Sequence, residues 1–266
     1  MHFVCRENIK EKLLTIDELN AASNELKKII GKEIPEKKSK DFKKNLKKLN
    51  KFYNSENVKK HLVLCYGRKC CYCESLIPST SYFHVDHFYP KSPSNGLPKQ
   101  FRNKFRYAFH IVNDVRNFHL ACNRCNVLKS DFVGLALSPN YYYKKGQWKC
   151  SSEDFITKNL KYKGARVESS KEFKSFIEKL YLNESTDIEK KGLHMSLLLE
   201  RTRYLNKIGA ILHACYALCY AKKYEDAKNL FDSLSSCFGK RAHFSRMIVI
   251  NYGKAFLKIK KFLELH

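Results

Sequence analysis

Acidic residues are scarce in this chain. Its 266 residues hold 26 Asp and Glu against 51 Lys and Arg, a formal net charge of +25. The shortage is sharpest in residues 61–150, with 13 basic and only four acidic side chains. Such a balance argues against cationic partners and favours a polyanion, although a lysine-rich composition would give the same charge without one. Long hydrophobic runs are missing too. The longest charge-free apolar run, residues 208–221, has 14 residues, against about 20 for a bilayer span, so no membrane is expected and the run reads as a buried helix. The opening Met1-His2-Phe3-Val4-Cys5-Arg6 lacks the apolar stretch of a secretory signal. The expectation is a reducing, cytoplasmic setting in which cysteines remain thiols. The single tryptophan, Trp148, is expected to pack.

Cysteine, by contrast, is plentiful at 11 residues. Random placement of that many gives about 0.5 Cys-x-x-Cys pairs, and two occur, Cys70/Cys73 and Cys122/Cys125. Four thiolates in two such pairs can close a tetrahedral structural zinc site. Cys65 and Cys71 lack a partner three residues away and stand outside the pattern. Cys215 and Cys219 lie in helical pattern and read as buried thiols.

The chain begins helical. Thr15-Ile16-Asp17-Glu18 has capping-box form, and Leu19, Ala22, Leu26 and Ile29 follow at helical spacing up to Gly31. Residues 37–51 place Phe42, Leu46 and Leu49 on one stripe and lysines on the other; a solvated face accounts for those lysines as well as nucleic acid does. A short apolar helix from Val58 to Tyr66 ends at Gly67. Residues 68–135 change character: a cysteine knuckle, a strand, a loop, a second strand and a short helix from about Asn123 to Ser130. Within them residues 91–106 form a basic loop with Pro93, Gly96 and Pro98. Phe155-Ile156, Leu160-Lys161-Tyr162 and Arg166-Val167, with a turn at Lys163-Gly164, read as a short strand pair. Beyond Ser169 the pattern is helical over 173–182, 193–207, 208–221, 224–238 and 241–265. The expected class is α+β, mostly helical. Its expected segments are a helical 1–67, a stapled module at 68–135, a connecting 136–168 and a helical docking region at 169–266.

Between the cysteine pairs lies His84-Val85-Asp86-His87. Asp86 offers a hard oxygen ligand and His87 a base, neutral near pH 7 because its reference pKa is about 6.5. Neighbours on a strand face opposite ways, so the strand must end there for both to serve one site; Pro90 supports an ending. Taken together, Asp86-His87-Phe88-Tyr89-Pro90-Lys91-Ser92, Arg116-Asn117-Phe118-His119-Leu120-Ala121-Cys122 and Cys125-Asn126-Val127-Leu128-Lys129 resemble an HNH endonuclease, with its ββα-metal fold. The resemblance covers residues 68–132. It implies Asp86 and Asn126 as ligands of one catalytic divalent ion, His87 as general base, and Asn117 as the residue that holds the loop and orients the base. With Asn126 in the last place the motif is similar to the His-Asn-Asn variant, and an amide oxygen tilts the ion towards Mg²⁺ or Mn²⁺ over zinc. The 29 residues between His87 and Asn117 depart from the family spacing and leave the rim of the site open. Lys91, Arg124 and Lys129 are candidate nucleic-acid contacts, with solvated surface as the alternative for Lys91 and Lys129. His119 reads as core filler.

The wider layout, with Cys71-Tyr72-Cys73-Glu74, Leu180-Tyr181-Leu182-Asn183 and Arg201, resembles the PtuB-like HNH component of Septu-type and retron-associated anti-phage systems. That resemblance implies an ABC/SMC-like, PtuA-like ATPase partner. The expected function is hydrolysis of nucleic-acid phosphodiester bonds, DNA favoured over RNA, by an enzyme carrying one structural zinc and one catalytic Mg²⁺ or Mn²⁺. The alternatives are an RNA-cleaving effector, for example on tRNA, and a zinc-stapled nucleic-acid-binding module without catalysis.

Overall fold

In the computed structural model of the chain, residues 15–33, 44, 47–49, 51–91, 111–132, 141–144, 147–150, 159–180, 182–183, 197–239 and 242–265 are described. The loop at 92–106 and Phe155-Ile156 lie outside them. Packing gathers the chain into two compact units, one of residues 1–72 and 77–156, the other of residues 157–266 with the short run 73–76.

The first unit opens with α1 (Ile16–Glu33), started by a reciprocal capping box: Thr15 N–H donates to Glu18 Oε2 at 2.6 Å and Glu18 N–H to Thr15 Oγ1 at 3.1 Å. The helix runs through Gly31 rather than stopping there. After a 3₁₀ turn (Phe52–Asn54), α2 (Glu56–Tyr66) buries Val58, Leu62 and Tyr66 and ends at Gly67. At φ 58° this left-handed cap suits a residue without Cβ. Arg68 follows at the same φ, a cost of about 1–2 kcal/mol for a side-chain-bearing residue. Its guanidinium offsets this by bonding three carbonyls of the returning chain: Ile77 at 3.1 Å, Pro78 at 2.7 Å and Ser81 at 3.2 Å.

Strand β1 (His84–His87) pairs antiparallel with β2 (Phe118–Ala121), with Asp86 opposite His119 and His87 opposite Phe118. α3 (Asn123–Lys129) follows β2 directly and packs on β1. The order is therefore β–β–α. His119 is fully buried, and its Nδ1 shares a 2.7 Å hydrogen bond with the Tyr66 hydroxyl. A second hairpin, β3 (Tyr141–Lys144) with β4 (Gln147–Cys150), belongs to this unit and was not foreseen. It sets the Trp148 ring 6.0 Å from that of Tyr89.

α1 fixes the turn that leads into β2. Asn20 Oδ1 accepts from Val115 N–H at 2.9 Å, and the Ser23 hydroxyl donates to Asn113 O at 2.9 Å. Both side chains are buried.

In the second unit β5 (Leu160–Lys163) and β6 (Arg166–Ser169) form a hairpin with Gly164 at φ 57°. Helices α4 (Lys171–Lys179), α5 (Leu197–Tyr220), α6 (Tyr224–Ser235) and α7 (Ser245–Leu263) follow. α5 is continuous where sequence periodicity suggested two helices meeting at 207/208. Gly209 lies just past that junction, but the helix runs through it, and the missing Cβ leaves room for the Tyr252 ring of α7; otherwise only the charge density changes, and a change of solvent exposure does not break a helix. α5 buries Leu205, Ile208, Leu212 and Cys215, while Tyr216 and Tyr220 stay exposed. α6 folds back beside it, and Phe256 of α7 stacks on Phe231 and Phe238 at 4.5 and 3.9 Å. No described helix is long and apolar enough to cross a membrane.

Replacing Asn20 with Ala leaves the buried Val115 N–H without a partner and should cost about 1–3 kcal/mol. Chemical denaturation checks this, with the exposed Glu25→Ala as a control near zero.

Candidate metal-assisted active site

The four expected zinc ligands come together. The Sγ atoms of Cys70, Cys73, Cys122 and Cys125 all lie within 4.8 Å of one another. A tetrahedral Zn–S₄ centre needs about 3.8 Å between sulfurs, so this cluster can hold zinc. None of the nine cysteines whose side chains are described is in a disulfide. Cys122 also caps α3, its sulfur accepting from Cys125 N–H at 3.5 Å. Cys71 N–H donates to Leu120 O at 2.9 Å, tying the first knuckle to β2. Burial pushes the Cys71 thiol well above its usual range, with Cys70 adding to it; it is an inert core thiol.

Asp86 and His87 end β1 at a cleft of about 280 Å³, lined also by Lys91, Asn126, Ser130 and Asp131. The break in the strand that the sequence required is visible here. Phe88 N–H donates to Asn117 O at 3.0 Å, and Asn117 then brackets the turn with its side chain. Its Oδ1 accepts from Tyr89 N–H at 2.8 Å, and its Nδ2 donates to Tyr89 O at 3.0 Å and Val112 O at 3.3 Å. Asn117 has no exposed surface and does not line the cleft. It acts on the turn behind His87.

Asp86 is buried and receives two donors. The Tyr72 hydroxyl donates to Oδ2, and Lys129 Nζ lies 3.3 Å from Oδ1 and 3.2 Å from Oδ2. Lys129, expected among the phosphate contacts, is fully buried, and its ammonium also donates to His87 O at 2.7 Å. The i, i+3 spacing puts it on the Asn126 side of α3, and the short helix turns that side onto β1. Removing one member of such a buried pair costs about 3–5 kcal/mol. Arg124 is half-buried on α3 and is not among the residues lining the cleft.

The His87 imidazole is only 8 % exposed. It lies edge-on to Tyr53, with centroids 4.8 Å apart, and to Phe118 at 4.9 Å. Lys91 caps Tyr53 with its ammonium 3.7 Å from the ring centroid. Among the described residues, Nε2 of His87 has no hydrogen-bond partner. Burial pushes the His87 pKa well below its usual value, and the charges of Lys91 and Lys129 add to this. The ring is therefore neutral near pH 7 and able to take a proton. Asp86 and Asn126 both line the cleft, and a carboxylate with an amide oxygen is a donor set that suits a hard divalent ion such as Mg²⁺ or Mn²⁺. Tyr72, Tyr53, Ser130 and Asp131 were not found from sequence. Tyr72 hides inside the cysteine knuckle, Tyr53 comes from a distant turn, and Ser130-Asp131 close the motif without a spacing rule to mark them.

A stapled β–β–α unit carrying an Asp-His pair and a helix Asn is the class of site these elements define. Over 95 residues, 36 % of this chain, the sequence is 35 % identical to the Septu protein PtuB of Bacillus mycoides (strain KBAB4). The chain is thus a PtuB-like relative of that Septu protein, and the match spans 32 % of the relative's length. No protein-family model matches the chain, and no solved structure matches it.

Protein purified without chelator should carry one zinc per chain by elemental analysis. Cys73→Ser and Cys125→Ser should unfold the module and not merely slow it, because binding of a four-thiolate zinc contributes about 10–16 kcal/mol to folding. Folded protein without zinc would contradict this.

Proposed function

We propose that this chain is a metal-dependent HNH endonuclease, the nuclease component of a Septu-type anti-phage defence complex in the cytoplasm. The observation that carries the reading is the convergence of Asp86, His87 and Asn126 on one cleft, with His87 Nε2 buried and unpartnered. A purely structural zinc module needs no such grouping. His87 takes a proton from a water, the water oxygen attacks phosphorus, the bond to the 3′-oxygen breaks, and the leaving oxygen is protonated from solvent. A divalent ion held by Asp86 and Asn126 would stabilise the charge that grows on phosphate and leaving group. Asn117 holds the turn that aims His87, and the aromatic walls of Tyr53 and Phe118 keep the ring in place. Lys91 at the cleft and Arg124 on α3 are the proposed backbone contacts, with DNA the favoured substrate.

The C-terminal helices are proposed as the docking surface for an ABC/SMC-like, PtuA-like ATPase. Tyr216 and Tyr220 on α5, and Val249, Ile250 and Leu257 on α7, support this, being large apolar side chains left exposed.

Incubation with plasmid DNA and with total RNA, with Mg²⁺, Mn²⁺ or chelator, tests the reading. His87→Ala should fold, keep its zinc and lose about 10²–10⁴ of the cleavage rate; a folded variant cutting at the normal rate would refute the assignment. Because the His87 pKa is depressed, the wild-type rate should hold on acidification and fall only well below the ordinary histidine range near 6.5. A rate halved at pH 6.5 would contradict the buried base. Affinity for nucleic acid, read by filter binding, should drop at least about tenfold between roughly 50 and 200 mM salt, since several phosphate contacts release counter-ions.

A further inference from the structure

Lys129 is a lysine without solvent. Its ammonium is 3.2 Å from Asp86 Oδ2, 3.3 Å from Oδ1 and 2.7 Å from the carbonyl of His87, with no exposed surface. Taking an ammonium out of water is costly unless it is well paired. Here one partner is the carboxylate that the proposed reading gives to the divalent ion, and the other is the backbone of the proposed base. Tyr72 donates to the same carboxylate from the opposite element, the cysteine knuckle. The protein thus supplies Asp86 with its own counter-charge. Lys129 is also one helical turn from Asn126, so its bond ties the helix bearing one proposed ligand to the strand bearing the other.

We infer that Lys129 is the resident counter-ion of the cation site, a positioning residue that holds Asp86 neutralised and oriented when no ion is bound and whose charge competes with the ion for that carboxylate. The inference rests on the reading of Asp86 and Asn126 as ion ligands. Two cations beside one carboxylate repel each other strongly in a poorly screened interior. The arrangement therefore weakens ion binding while keeping a preformed site when the ion is absent. A purely structural lysine predicts the opposite: its loss would disorder the carboxylate and weaken ion binding.

The test is calorimetric titration of Mn²⁺ alone, without nucleic acid, into the full-length protein and its variants, paired with thermal melting. Lys129→Met should bind Mn²⁺ at least about tenfold more tightly than wild type, because a short-range repulsion is gone. It should melt lower than wild type without Mn²⁺, and regain more on adding it than wild type does. Lys129→Arg, which keeps the charge, should bind within a few-fold of wild type. Unchanged or weaker Mn²⁺ binding by Lys129→Met overturns the counter-ion role. If Lys129→Met does not fold, the Asp86→Asn/Lys129→Met double variant decides. Charge and counter-charge leave together, so it should fold and melt near wild type; a double variant as damaged as the single one overturns the inference. A wild type that binds no Mn²⁺, or an Asp86→Asn variant that binds it as wild type does, overturns the reading of the cation site and this inference with it. Failure of the Lys129 variants alone leaves that reading standing.

Discussion

Four thiols within 4.8 Å of one another are the constraint on which the rest of the β–β–α module depends. β1 and β2 are four residues each, too short to stand as an isolated hairpin in water. The segment between them is long, and closing it costs chain entropy. A zinc held by the cysteine cluster would close it from both sides. Cys70 and Cys73 follow the end of α2, and Cys122 and Cys125 span the exit from β2 and the first turn of α3. With the start of α3 held, Asn126 and Lys129 can face the end of β1. A short helix and a short ribbon, each marginal alone, become one rigid frame.

Inside that frame the polar groups are arranged for a low-dielectric site. Asp86 is satisfied by Tyr72 and Lys129, Lys129 by Asp86 and the His87 carbonyl, and Asn117 by the turn that follows β1. His87 is the exception. Its Nε2 is buried with no hydrogen-bond partner among the described residues, between aromatic rings and near two cations. On the proposed reading this nitrogen is the atom that takes the proton, and such preorganisation would cost folding stability at the site in return for catalysis. Lys129 belongs to both accounts: it pairs with Asp86, and its charge adds to burial and to Lys91 in lowering the His87 pKa.

Local chemistry made much of this legible. The capping box at Thr15–Glu18, the glycine cap at Gly67, the paired cysteines and the ending of β1 before Pro90 each have a short-range cause. The α+β, mostly helical class followed from them. Legibility failed where the cause was not local. The junction at 207/208 looked like a helix boundary because lysines give way to an uncharged run, yet the helix runs on through Gly209, where Tyr252 of α7 packs against the bare backbone. The β3–β4 hairpin escaped because Tyr141-Tyr142-Tyr143-Lys144 does not alternate and the alternation of Gln147-Trp148-Lys149-Cys150 is only four residues long, too short a run to stand out.

Residue identity and spacing were enough to place Cys70, Cys73, Cys122 and Cys125 in one cluster and to bring Asp86 and His87 forward as a pair; Asn126 joined them only through the resemblance to HNH endonucleases. Those patterns are chemical, and a ligand set or an Asp-His step means the same wherever it is folded. Burial is different. A lysine three residues past Asn126 looks like surface in any linear reading, and only the packing of α3 on β1 turns it inwards to Asp86. Tyr72 and Tyr53 reach the site for the same reason, through contacts 14 and 34 positions apart along the chain. Which charges meet, and which lose their water, is decided by long-range packing, and no local pattern encodes it.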